Sequence, residues 1–170
     1  MKKVLPVLAA LFMLGSIGGC GDDAPDVFDI TFGITYNHIF TIQGNAATPS
    51  LGINLEDDDD YHRYKSKIRS VKIDYVRYSI TSNTGGGGTV GLYAGNYGSA
   101  FPNAKKVAQT IAFAAGETRS GTDVEWIDLA FLESLLASGK LSLWAVGSGA
   151  DIDMIVPVVI KIEVTVNPLE

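Results

Sequence analysis

From Phe28 onward, hydrophobic side chains fall on every second position: Phe28, Ile30, Phe32, Ile34 and Tyr36, then Phe40 and Ile42. Asp29, Thr31, Gly33, Thr35 and Asn37 stand between them. A period of two over this length predicts a strand with one buried face, or two strands bent near Asn37-His38. Residues 43–50 (QGNAATPS) read as a loop. Asp57 to Asp60 then precede Tyr61, His62, Arg63, Tyr64, Lys65, Lys67 and Ile68. Acids first and bases last complement a helix dipole, and Tyr61, Tyr64 and Ile68 can share one face, so the pattern predicts a short helix over 57–67. Alternation resumes at Val71, Ile73 and Tyr75 but shifts phase to Val76, Tyr78 and Ile80, which predicts a bulge around Asp74-Tyr75.

Residues 82–88 (SNTGGGG) read as a flexible turn before a strand at 89–94. A loop over 97–105, a strand over 107–113, a loop over 116–121 and a brief strand over 124–126 follow. Asp128 can cap a helix over 129–138 that Gly139 ends in the C′ position. Ile127, Phe131 and Leu135, beside Leu132 and Leu136, give that helix a face toward the core. Strands at 141–146 and 152–166 complete the pattern, and Pro157 predicts an edge or bulge near the start of the last one. About seven or eight strands without alternating strand–helix units predict an all-β fold, an antiparallel β-sandwich (immunoglobulin-like or related) with two short helices. The long first and last strands are candidates to pair. Residues 27–170 are expected to form a single domain.

The first twenty residues follow another logic. Lys2 and Lys3 precede an apolar run from Val4 to Ile17, and Gly18 and Gly19 precede Cys20, the only cysteine. That order is the charged, apolar and small-residue sequence of a secretory signal, and the run is shorter than the roughly 20 residues a spanning helix needs. Ile17-Gly18-Gly19-Cys20 resembles the lipobox of bacterial lipoproteins. The resemblance implies cleavage of residues 1–19, lipidation of Cys20 (diacylglycerol on sulfur, with an acylated amino terminus such as palmitate) and a tether over 20–26. It further implies residence at a membrane of the cell envelope. Gly21 follows the cysteine where aspartate would retain such a protein in the inner membrane, so an outer membrane facing the periplasm or surface is favoured in a Gram-negative cell.

Charge narrows the partners. The formal net charge of −6 becomes −8 once Lys2 and Lys3 are removed. An acidic domain repels nucleic acid and anionic headgroups, so the anchor rather than the surface has to supply membrane attachment.

Candidate chemistry is sparse. Gly86-Gly87-Gly88-Thr89-Val90-Gly91 matches G-x-G-x-x-G, but strand-like residues follow where a dinucleotide site needs a helix N-terminus. Asp57, Asp58, Asp59 and Asp60 are weak calcium candidates, lacking the glycine and alternation of an EF-hand; helix capping explains them without metal. His38 falls on the inward phase of its strand and reads as a hydrogen-bonded core or rim residue, and His62 reads as exposed, so the pair does not suggest a zinc site. No nucleophile motif is present, and no enzyme activity or cofactor is expected. Trp126, in phase with Val124, reads as core, whereas Trp144 is out of phase with Leu141 and Leu143 and reads as a second-face residue. Tyr93, Tyr97 and Phe101 around a glycine-containing loop are candidates for glycan or small-ligand binding. The leading expectation is a membrane-anchored, non-catalytic protein-interaction or structural module with an envelope protein as partner. Glycan binding through the aromatic trio is the alternative.

Overall fold

The alternation that opens the domain is one continuous strand, β1 (Ile30–Gln43), rather than two. The computed structural model describes residues 29–149 and 151–169. The expected signal and tether segments, residues 1–19 and 20–26 with Cys20, therefore lie outside the described residues. After β1 come β2 (Leu51–Asn54), helix α1 (Asp59–Tyr64), β3 (Ile68–Ile80), β4 (Ser82–Asn83), β5 (Gly88–Asn96) and β6 (Lys105–Thr110). They are followed by β7 (Arg119–Gly121), β8 (Val124–Trp126), helix α2 (Leu129–Ala137), β9 (Lys140–Gly149) and β10 (Asp153–Val166).

The strands form two antiparallel sheets, the sandwich that the alternation predicts. The first has the order β1-β10-β3-β7 with β4 also on β10, and the second β2-β9-β5-β6-β8. Their logic is that of one long hairpin rolled up. β5 pairs with β6, β3 with β7, β2 with β9 and β1 with β10, each pair nested outside the one before. β10–β3 and β9–β5 contacts close the roll. Eight strands in two Greek keys are a jelly roll, which specifies the strand order within the sandwich class; β4 and β8 are additions at its margins.

One face of each sheet supplies the core. Phe40 and Ile42 of β1, Val76 and Ile80 of β3, Leu141 and Leu143 of β9, and Val156, Ile160 and Val164 of β10 meet in a single cluster with Leu132 and Leu136 of α2. In β10 the buried residues are Met154 through Val166 at even numbers, the period of two carried through fourteen residues. The helix is set by its ends. Asp128 Oδ1 accepts from the Phe131 N–H at 3.0 Å, and Gly139 turns the chain away at φ +82°. Ile127, expected on the core face, is half exposed because it precedes the cap and lies outside the helix.

Several boundaries differ from the sequence expectation for identifiable reasons. The bulge is present: β10 register jumps from Lys161 opposite Tyr75 to Ile162 opposite Ile73, leaving Asp74 as the extra residue. Pro157 also stands at an irregularity, as expected: β10 pairs Val158 with Tyr78 but Ile155 with Ser82, three residues against four. It lies within a central strand, where pairing passes from β3 at Val158 to β4 at Ile155 and no ladder donor is required. The helix expected over 57–67 is α1 alone, with 3₁₀ turns at Leu55–Asp57 and Lys65–Lys67 on either side. The strand expected over 107–113 ends at Thr110, and Phe113 makes a single bridge to Gly88. The loop over 116–121 contains β7, and Leu51–Asn54, too short to show periodicity, forms β2.

The glycine-rich stretch is not a flexible hairpin turn either. It crosses from one sheet to the other and is pinned there. Asn83 Nδ2 donates to the Ala114 carbonyl at 3.2 Å, and Gly86 N–H donates to the Asp151 carbonyl at 3.0 Å. A Cβ on Gly87 would sit 2.7 Å from the Phe113 carbonyl oxygen, so glycine is required by close backbone approach.

Candidate functional site

The aromatic candidates gather on the outer face of the second sheet. β9 is buried on both faces: Leu141 and Leu143 point into the core, and Trp144 points out yet is only 4% exposed. What covers Trp144 is the β5–β6 loop. Phe101 starts a 3₁₀ turn, Phe101–Asn103, and packs edge-on against Trp144 at 6.1 Å and against Tyr93 at 5.2 Å. Gly98 N–H donates to Ser142 Oγ at 3.0 Å, which fastens the loop to the strand beneath. Ser99 Oγ is enclosed over Gly95 and lacks a hydrogen-bond partner among the described residues.

Tyr93 and Phe101 are therefore joined, half-buried, with Trp144 as their base. Tyr97 stands apart from that stack. It is 54% exposed, and its ring lies over Gly52 of β2, where an added Cβ would be 3.1 Å from the ring. The expected trio is thus a packed pair plus one exposed ring, and the pairs are edge-on rather than coplanar. Trp144's outward phase was visible in the sequence; its burial depends on how a loop folds across the sheet, which local pattern does not encode. Trp126 packs against the main core, as its phase indicates.

The acidic run is occupied with local structure. Asp58 caps α1, its Oδ1 accepting from the Asp60 and Tyr61 N–H groups at 3.1 and 3.0 Å. Asp57 accepts from Asn54 Nδ2 at 2.7 Å, and Asp60 faces Arg63 at 3.6 Å. Asp59 lies in the first turn, where the helix dipole favours an anion. Asp153 is opposite Gln43 at the far end of β1 and accepts from Thr84 Oγ1, so the fold does not bring it to the run. Among the described residues no group of three His, Cys, Asp or Glu side chains converges as a metal site. His38 is half-buried with its ring edge-on to Phe40 at 4.6 Å, and His62 is exposed in the last turn of α1.

The strongest electrostatic feature adjoins this run. Glu56 lies between two lysines: Lys140 Nζ approaches Oε2 at 2.8 Å and Lys65 pairs with Oε1. Hydrogen bonds from Lys140 and then Lys65 pull the Glu56 carboxyl down to about 2. The bridge ties the β2–α1 segment to β9. Nearby, burial and then the charges of Asp57 and Asp58 push the Tyr36 phenol up to about 12, and its hydroxyl donates to the Asn54 carbonyl at 2.9 Å. A second cluster clamps β7: Arg119 holds Asp123 at 2.7 Å, and Tyr78 donates to the same carboxylate at 3.1 Å. These groups are engaged with one another in a way that fixes loops.

Between the sheets lies an apolar cavity of about 30 Å³ bordered by Phe40, Tyr78, Leu92, Val124 and Val158. That is space for about one water molecule, far below the 300 Å³ at which ligand pockets begin.

No family model matches the chain, and no curated protein matches it. Among solved structures, the chain is similar in outline to the cryo-EM structure of Mud crab tombus-like virus, with 7% identity, 99% of this chain and 97% of that chain covered, and a TM-score of 0.36. It is similar also to Desmodium yellow mottle tymovirus, with 11% identity, 100% and 97% coverage, and a TM-score of 0.26. Likeness at those scores carries no argument about what the chain does; its fold rests on the strand order above.

Proposed function

We propose that this chain is a lipoprotein of the cell envelope, held at a membrane by acyl groups on Cys20 and presenting its jelly roll as a non-catalytic protein-interaction or structural module. The observation that carries the reading is the order Lys2-Lys3, apolar Val4–Ile17, then Gly18-Gly19 and the single Cys20. Two or more acyl chains anchor stably where one binds marginally, so the lipidated terminus fixes the domain at the surface despite its acidic charge. The filled interior supports a role exercised through the exterior. Among the described residues no helix is long and apolar enough to cross a membrane.

The direct test is mass spectrometry of the N-terminal peptide from the chain expressed in a bacterium. A peptide beginning at Cys20 and carrying a diacylglyceryl group is expected, with the wild type in the membrane fraction and Cys20→Ser losing the lipid. An N-terminal peptide that begins elsewhere, or at an unmodified Cys20, would falsify the reading. The exposure of Tyr97 favours a second reading, a glycan-binding face. A glycan array probed with the wild type and Tyr97→Ala decides it: binding lost in the variant supports the site, and no binding by either removes it.

A further inference from the structure

We propose that the free edge of β1 is an interface through which two copies of this chain pair antiparallel about a two-fold axis. The four outermost strands of the two sheets are β1, β7, β2 and β8. Three of them are blunt, with 3, 4 and 3 residues in β7, β2 and β8, whereas β1 has 14. At about 3.4 Å per residue its 14 residues run for about 48 Å. Edges are ordinarily protected by shortness, charge, proline or a bulge. β1 has none of these: it contains no Asp, Glu, Lys, Arg or Pro, and its register to β10 runs from Ile30 to Gln43 without a shift. The protective features stand one and two strands further in. β10 carries Asp153, Pro157, Lys161 and Glu163, and β3 carries Arg69, Lys72, Asp74 and Arg77 with two register shifts.

The ladder fixes which groups are free. Gly44 N–H donates to the Ile152 carbonyl, so even-numbered residues of β1 face β10. Thr81 and Thr84 N–H groups donate to Ile155 and Asp153, so the odd residues of β10 face the other side. By alternation the N–H and C=O groups of Thr31, Gly33, Thr35 and Asn37 point out from the sheet edge. Thr48 and Pro49 lie beside His38–Thr41, which confines the open stretch to Ile30–Asn37. Among the described residues no strand pairs there.

A second copy fits this edge by its chemistry. Self-pairing centred on Ile34 sets Thr31 opposite Asn37 and Gly33 opposite Thr35 on one face. On the other face it sets Phe32 opposite Tyr36 and Ile34 opposite itself, an aromatic pair beside an aliphatic one. β1 brings no charged side chain of its own to the seam, Lys161 over Gly33 being paired with Asp74, and Phe32 and Tyr36 are only partly covered within one copy. An isologous contact of this kind closes at two copies.

The test is sedimentation equilibrium of the full chain in density-matched detergent at micromolar concentration. Two copies per complex are expected for the wild type. Thr35→Pro removes an N–H that one copy does not use, and edge strands accept proline at such positions. Thr35→Lys places a cation at the seam and opposite Lys161 of its own chain. Both variants should keep the wild-type circular dichroism, and both should weaken self-association by about tenfold or more, the equivalent of about 1.4 kcal/mol. A wild type that sediments as one copy overturns the proposal, even if it binds a foreign strand peptide. So does association that survives both substitutions.

Discussion

Gly139 follows α2 at φ +82°, donates its N–H to the Leu136 carbonyl and accepts from Leu55 N–H through its own carbonyl. A Cβ there would lie 2.9 Å from Tyr61 Oη, so glycine serves both backbone conformation and space. Gly116 has a similar φ of +70° with nothing within 4 Å of its Cβ position. Gly116→Ala should cost about 1 kcal/mol, the left-handed penalty alone, and Gly139→Ala clearly more, read as urea midpoints. Equal losses would mean that Tyr61 yields without cost. Glu56 gives a prediction in pH. Its folded pKa of about 2 lies below the ordinary value of 4.5 because of Lys140 and Lys65. A depressed carboxyl stabilises the fold fully above its unfolded pKa and loses that contribution as pH falls through the folded value. Stability measured between pH 4.5 and 2 should therefore fall less steeply in Glu56→Gln than in the wild type. Unchanged steepness would show that solvent cancels the bridge.

At the scale of elements, the outer face of the second sheet is a small core of its own, built from Trp144, Phe101 and Tyr93. Trp144→Ala should cost about 3–5 kcal/mol, as for a buried aromatic, although it is absent from the inter-sheet core. Tyr97→Ala, which uncovers Gly52 at the sheet edge, should cost under about 1 kcal/mol. Comparable losses for the two would contradict the division between packed and exposed rings. The same face shows which parts of the architecture are legible from residues alone. Periodicity located β1, the core phase of β10 and the bulge at Asp74, because each depends on a two-residue repeat or its interruption. Asp128 and Gly139 marked the ends of α2, because caps are local chemistry. The three- and four-residue strands β7 and β2 were not legible, since so short a segment pairs only because a longer partner is already in place. Pro157 marked a one-residue slip through its own chemistry, a missing donor, but that the slip is a change of neighbour from β3 to β4 depended on the fold. The separation of Tyr97 from Tyr93 and Phe101 likewise depended on where a loop crossed a sheet.

At the scale of the whole molecule, nested pairing makes the two ends of the domain interdependent. β1 and β10 are the outermost pair of the roll, joining Ile30 to Val166, and β10 also lies between β1 and β3. Its loss would strip the first sheet of its centre, leaving β1 without a partner and exposing Ile42, Ile80 and Leu143 of the shared core. The edge strands β7 and β8 hold no such position. A chain ended after Ile152 should therefore show no cooperative urea transition and should be cleaved by protease at concentrations that leave the full chain intact. Removing only Pro168–Glu170 should preserve the transition, because the β10 ladder ends at Val166. Pairing so distant in sequence has to close its loops before it gains contacts, so refolding of the intact chain belongs in the range of milliseconds to seconds. A truncated chain that kept a sharp transition would show that β2, β9, β5 and β6 hold a core without the strand joining the two ends, and the rolled-hairpin account of the fold would fail with it.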